Sequence, residues 1–147
     1  MTMKNILVPV DFSDLSIQII DKAGDIALAF NTKVFIVHIS APPPAFVGFE
    51  MVPQYDVEER TRELQTENRD LLAMENHLKE KGVEVQSMFI QGLTVESIIE
   101  QANKLNTDLI VMGTHNHGFF YKTFLGSVSE GVLRKAKCPV MIVPEVI

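Results

Sequence analysis

Gly113 and Gly126 bracket the segment "GTHNHGFFYKTFLGS" (113–127), which also holds His115, Asn116, His117, Lys122 and the rings of Phe119, Phe120 and Phe124. The apolar run "TDLIVM" leads into it and the helix-like "GSVSEGVLRKA" follows. Loops this long in compact domains are usually binding loops or disordered, and the aromatic content argues against disorder. The chemistry such a segment suits is anion binding. A helix starting after Gly126 presents free N–H groups and the positive end of its dipole, and Ser127 adds a hydroxyl. Gly113 lets a backbone or ligand approach closely. The same residues also satisfy a plainer reading, a turn followed by a cap, because Ser127 and Glu130 form an S-x-x-E capping box. A second candidate group lies far off in sequence, in "PVDFSD" (9–14). Pro9 removes a donor from the end of an apolar run, and Asp11 stands just beyond it, either facing a ligand or belonging to the turn into the next helix.

Other reactive side chains carry less. His115 and His117 make one H-x-H pair, short of the three or four converging ligands a metal site needs, so no metal is expected. His38, inside an apolar run, reads as a packed core histidine. Cys138 has no evident base beside it and reads as a structural thiol. Lys122 reads as solvated, and the three phenylalanines as folding the loop against the body or a partner. There is no G-x-x-x-x-G-K-[ST] loop and no Ser-Gly-Gly-x-Asp-Ser loop after the first run. "HNHG" has the wrong order for the H-x-G-H of nucleotidyl transferases. No catalytic residue is assigned.

These groups need elements to position them. Five short runs rich in Val and Ile recur: "ILVPV" (6–10), "KVFIVHI" (33–39), "VEVQSMFI" (83–90), "DLIVM" (108–112) and "PVMIV" (139–143). Near-continuous apolar runs suit strands buried on both faces; the third alternates at its start and reads as nearer an edge. Helical patterns lie between them. Residues 13–30 place Leu15, Ile19, Ala23, Ile26, Ala27 and Phe30 on one face, with Ser13 as N-cap. Residues 55–81 carry Val57, Leu64, Leu71, Leu72 and Leu78 as one buried stripe ending at Gly82. Residues 94–105 follow a Thr94 cap, and 127–137 place Val128, Val132 and Ala136 together. The order β-α-β-α-β-α-β-α-β predicts an α/β fold, a five-stranded parallel sheet with helices on both faces. Open parallel sheets bind ligands outside the carboxyl ends of their strands, where the strand order reverses. If the first and fourth strands flank that reversal, Asp11 and Gly113 face each other across one crevice. The Pro-rich stretch 41–55 follows the second strand and reads as a lid, a partner surface or an ordered connection.

Composition sets bounds. The 147 residues make one domain, 1–147, able to bury a core. No apolar run is long enough to span a membrane, and "MTMKNILVPV" lacks the pattern of a signal peptide. A single cysteine fits a reducing cytoplasm. The net charge of −6 argues against nucleic acid as a partner.

The stretches "ILVPVDFSD", "FIVHI", "DLIVMGTHN" and "LGSVSEGVLRKAKCPVMIVP", over essentially the whole chain, resemble the universal stress protein family. The resemblance implies strand order 3-2-1-4-5, in the adenine nucleotide alpha-hydrolase-like fold, which supplies the reversal that periodicity leaves open. It also implies a cytoplasmic stress-response protein, commonly homodimeric. One branch of the family binds ATP through G-x2-G-x9-G-[ST]; another lacks the motif and binds no nucleotide. Here the motif falls on Gly113, Asn116, Gly126 and Ser127, with asparagine at the middle glycine. Asparagine is the non-glycine residue that best tolerates a left-handed backbone, but it adds a side chain there. By resemblance Asp11 holds the ribose hydroxyls, with Val10 and Ile39 backbone groups near the adenine and Pro9 and Met112 beside them. Gly113, Asn116, Gly126, Ser127 and Val128 line the phosphates, Ser129 takes a further phosphate-side position, and Mg²⁺ accompanies ATP.

Three classes of function follow: an ATP-binding regulatory homodimer, a nucleotide-free stress dimer working through protein contacts, and a slow ATPase or phosphotransferase. Homodimer contact is expected through the last strand at Val140, Met141 and Ile142, since an exposed apolar edge is an aggregation hazard unless covered.

Overall fold

The computed structural model describes residues 2–40, 54–114 and 126–145. The elements run β1 (Asn5–Pro9), α1 (Leu15–Phe30), β2 (Lys33–Ser40), α2 (Gln54–Glu80), β3 (Val85–Gln91), α3 (Thr94–Lys104), β4 (Leu109–Gly113), α4 (Ser127–Lys135) and β5 (Val140–Val143). The five strands form one sheet in the order β3-β2-β1-β4-β5, parallel at every junction. The expected alternation and strand order are both present, and the alternating third run forms an end strand.

Side chains on the central strands alternate between two apolar layers, as the pleat requires. Ile6 and Val8 of β1 join α1 and α2 in one layer, through Leu15, Ile19, Ile20, Leu71, Met74 and Leu78. Leu7 points the other way, with Phe35, Val37, Ile98 of α3 and Val132 of α4. Helices therefore cover both faces. No helix among the described residues is long and apolar enough to cross a membrane.

The helix ends depart from the sequence expectations in an informative way. Ser13 does not cap α1. Its N–H donates to Asp11 Oδ1 at 2.9 Å, its carbonyl accepts the Ser16 N–H, and Asp14 is the N-cap, with no side-chain cap bond. The turn closed by Asp11 has replaced the cap. Thr94 and Ser127 are first helical residues rather than caps, preceded by Leu93 and Gly126 in extended backbone. Glu130 does not close a capping box; it pairs with Arg134 at 2.7 Å, one turn along. Gly82 does end α2, at φ 86, as its left-handed backbone requires.

The stripe on α2 is narrower than the heptads suggest. Leu71, Met74 and Leu78 are buried, whereas Val57 and Leu72 are exposed. The helix has 27 residues, about 40 Å at 1.5 Å per residue, and outruns the 8 residues of β2. Arg60 already bonds Ser40, the last residue of β2, so Val57 lies past the end of the sheet. Leu72 sits one residue, and about 100°, off the Leu71 face. Phe30, expected inside, is exposed at the last turn of α1.

Candidate functional site

β1 and β4 are neighbours at the centre of the sheet, and their following helices leave for opposite faces: α1 into the layer with Ile6 and Val8, α4 into the layer with Leu7. The departing chains part at the carboxyl edge and leave a crevice. It has a volume of about 520 Å³, within the roughly 300–1,000 Å³ of small-molecule sites.

Pro9, Val10, Asp11, Ile39, Met112, Gly113, Gly126, Ser127, Val128 and Ser129 all line this one cleft. They are every sequence candidate that falls among the described residues. Asn116 lies outside them, as do His115, His117, Lys122, the three loop phenylalanines and residues 41–53. Sequence reasoning missed Ile19, Val37, Thr94 and Ile98 as lining residues, and favoured a packed core histidine for His38. Thr94 was legible only as a cap. His38 is indeed buried, but a histidine one residue before Ile39 in an apolar strand was a signal that the same strand end reaches the cleft.

Each wall has its own construction. Asp11 Oδ1 accepts the Ser13 N–H at 2.9 Å and the Ser16 hydroxyl at 3.4 Å, so the turn reading of Asp11 is correct and the residue also lines the cleft. Phe12, next to it, has φ 63, a conformation costing a non-glycine residue roughly 1–2 kcal/mol. Its ring lies 4.3 Å from the His38 ring, centre to centre, with Phe89 at 5.6 Å from the same imidazole. His38 Nδ1 is 2.8 Å from the Val10 carbonyl. That oxygen can only accept, so Nδ1 carries the proton.

Gly113 is a strand residue whose missing side chain faces α1. A Cβ there would lie 2.6 Å from Leu15 Cδ2 and 2.7 Å from Ile19 Cδ1. A side chain there would have to displace these two methyl groups, so the glycine suits close packing against α1. Its carbonyl accepts the Ser129 hydroxyl at 2.8 Å, fixing the first turn of α4 to the end of β4. The first helical bond of α4 runs from Glu130 N–H to the Gly126 carbonyl. The N–H groups of Ser127, Val128 and Ser129 precede it and have no partner within the helix, so the cleft meets the positive end of a helix. Asp11 is the one Asp, Glu, Lys or Arg among the described lining residues.

The sequence matches the model of the universal stress protein family over residues 2–144. This chain belongs to the universal stress protein family. It is 32% identical over 141 residues to universal stress protein MJ0531 of Methanocaldococcus jannaschii, covering 95% of this chain and 81% of the relative. It is 35% identical to universal stress protein A homolog 1 of Coxiella burnetii, covering 97% of each. Among solved structures, a universal stress protein in complex with cAMP is 26% identical, with TM-score 0.71, covering 99% of this chain and 100% of its own. Universal stress protein UspA from Lactobacillus plantarum, 21% identical with TM-score 0.80 over 97% of this chain and 99% of its own, shares the fold.

Family membership accounts for the fold and for the place of the cleft. Among the described residues, no group of three or more His, Cys, Asp or Glu side chains is placed to hold a metal ion. Cys138 is half-buried; burial pushes its thiol up from the ordinary value, with the Asp108 charge adding to it, which disfavours the reactive thiolate.

Proposed function

We propose that this universal stress protein binds an adenine nucleotide, ATP with Mg²⁺, in the cleft between β1 and β4, and acts as a cytoplasmic regulatory homodimer rather than as an enzyme. The observation that carries the reading is the convergence of Asp11, Ile39, Gly113 and the Gly126–Ser129 turn on one cleft at the reversal of strand order. In this reading the first-turn N–H groups and the Ser127 hydroxyl meet the phosphates. The Ser129 proton is already donated to Gly113, so Ser129 contributes its N–H and its hold on the turn. Asp11 offers its carboxylate to the ribose hydroxyls. A triphosphate beside Asp11, with the charge met by a helix dipole, calls for a divalent cation to offset it. The cAMP held by a structural relative supports an adenine ligand.

Asn116 favours a second reading, the nucleotide-free dimer, because a side chain stands where the ATP-binding branch has glycine. Mass spectrometry of small molecules released by denaturing the purified protein tests the first reading directly, and calorimetric titration of ATP into wild type and Asn116→Val tests it again. Adenine nucleotide in the released fraction, with ATP binding abolished by the β-branched residue that resists positive φ, supports it. Absence of nucleotide together with no ATP binding by wild type establishes the second reading.

A further inference from the structure

The main-chain directions of β2 follow from the bonds on its two sides. Lys33 N–H donates to the Lys4 carbonyl and the Val37 carbonyl accepts the Val10 N–H, so odd-numbered residues turn their polar groups toward β1. Val34 N–H donates to Glu84 and the Ser40 carbonyl accepts from Gly92, so even-numbered residues turn toward β3. Ile39 therefore aims its N–H and its C=O toward β1. The β1–β2 register ends at Pro9–Val37. The next rung of a parallel ladder would run from Ile39 N–H to the Val10 carbonyl. That carbonyl accepts the His38 Nδ1–H instead, at 2.8 Å. The imidazole is packed between Phe12 and Phe89, and Glu67 of α2 stands beside it, its buried Oε2 3.6 Å from Nε2.

We propose that His38 is the positioning residue of the base-reading edge: by taking the Val10 carbonyl, it keeps the N–H and C=O of Ile39 open to the donor–acceptor edge of adenine. The inference rests on the nucleotide reading above and names the device that would give it base selectivity. Unpaired main-chain groups in a partly buried place are costly unless a ligand pairs them. Adenine offers an acceptor, N1, beside a donor, the 6-amino group. Guanine presents the opposite order, N1–H beside O6, and mismatches the pair in the same pose.

The test combines amide hydrogen exchange on the ligand-free full chain with titrations of ATP, GTP and inorganic triphosphate. In wild type the Ile39 amide is expected to exchange about tenfold or more faster than that of Val37, which lies inside the register. His38→Phe retains a ring between Phe12 and Phe89 but removes the donor. Ile39 is then expected to close the rung onto Val10 and become protected, and ATP affinity to fall about three- to tenfold with triphosphate binding unchanged. His38→Asn, whose amide can reach Val10 as Nδ1 does, is expected to recover both readouts. Should His38→Phe not fold, His38→Gln, whose amide reaches toward Glu67 and away from Val10, takes its place. A protected Ile39 amide in wild type overturns the proposal. So does an Ile39 amide unmoved by His38→Phe, or unchanged ATP affinity once the rung has closed. If wild type binds no nucleotide, the functional reading falls and base reading with it, while the exchange comparison still decides whether His38 holds Ile39 open.

Discussion

The Ser129 hydroxyl donates to the Gly113 carbonyl at 2.8 Å, joining the first turn of α4 to the last residue of β4. This bond and the glycine's contact with α1 fix the floor of the cleft from two sides. Ser129→Ala leaves the carbonyl without that donor and is expected to destabilise the fold by about 1–3 kcal/mol. Gly113→Ala drives a Cβ against Leu15 and Ile19, at an expected cost of about 1–3 kcal/mol. If packing is the reason for the glycine, Gly113→Ala and Leu15→Ala are coupled, because the smaller side chain relieves the clash. Urea unfolding of both single variants and the double should give a coupling of about 0.5–3 kcal/mol. Strict additivity would assign Gly113 to the ligand side alone.

Asp11 has a turn bond and a proposed ligand contact, which one substitution confounds and two substitutions separate. Oδ1 closes the turn onto Ser13, while the proposed ribose contact needs a carboxylate. Asp11→Asn retains the turn acceptor and is expected to shift stability by no more than about 0.5 kcal/mol. Asp11→Ala opens the turn and is expected to cost about 0.5–1.5 kcal/mol. Losing hydrogen bonds from the ribose hydroxyls to a charged acceptor should weaken ATP about 10- to 100-fold in the alanine variant, and weaken inorganic triphosphate far less. Calorimetric titration of both ligands decides it; equal losses would confine Asp11 to the turn.

The architecture was legible because buried parallel strands and amphipathic helices leave different periods. Val8, Val37 and Val111 sit in apolar runs that a strand buried on both faces requires, and each is fully buried. Local chemistry was less legible. Ser13, Thr94 and Ser127 look like caps by residue type, yet cap status depends on backbone angles that the turn at Asp11 and the approach at Gly126 determine. The reversal between β1 and β4 has no local signature at all; it came from resemblance and is present in the topology. His38 shows the limit most clearly. Burial was readable from its apolar neighbours, but its bond to Val10, 28 residues away in sequence, exists only once β1 and β2 lie side by side.

Asp21 ties α1 to the end of α2, accepting from His77 Nε2 at 2.7 Å and Lys81 Nζ at 2.6 Å. Burial alone would raise its carboxyl, but the hydrogen bonds from Lys81 and His77, and their charges, outweigh it and hold it below the ordinary value. A lowered carboxylate contributes stability that is fully present above its unfolded value, about 3.9. That stability is lost as pH falls through the lower folded value. The cluster is about a third exposed, so solvent limits the effect to about 1 kcal/mol or less. Asp21→Asn is expected to lower the urea midpoint at neutral pH, with the gap to wild type closing as the pH falls through the lowered folded value. A gap that stays constant across this range would show that packing, and not charge, is what the substitution removes.

The two ends of the sheet are treated differently. On β3 the outward Ser87 N–H donates to Glu75 Oε1 of α2 at 3.0 Å, so a side chain occupies part of that edge. β5 is the other end strand, short and apolar, with Met141 exposed. An open apolar edge is a template for another chain, and a twofold axis would let two copies of Val140–Ile142 cover each other. The proposed homodimer therefore forms at β5 and not at β3. Met141→Lys places a charge at the centre of that contact and is expected to give folded monomers by sedimentation equilibrium, because the side chain is exposed in the single chain. Glu75→Ala, at the opposite edge, is expected to leave the dimer intact. A dimer that persists in both Met141→Lys and Ile142→Lys would place the interface elsewhere, and dissociation by Glu75→Ala would move it to β3.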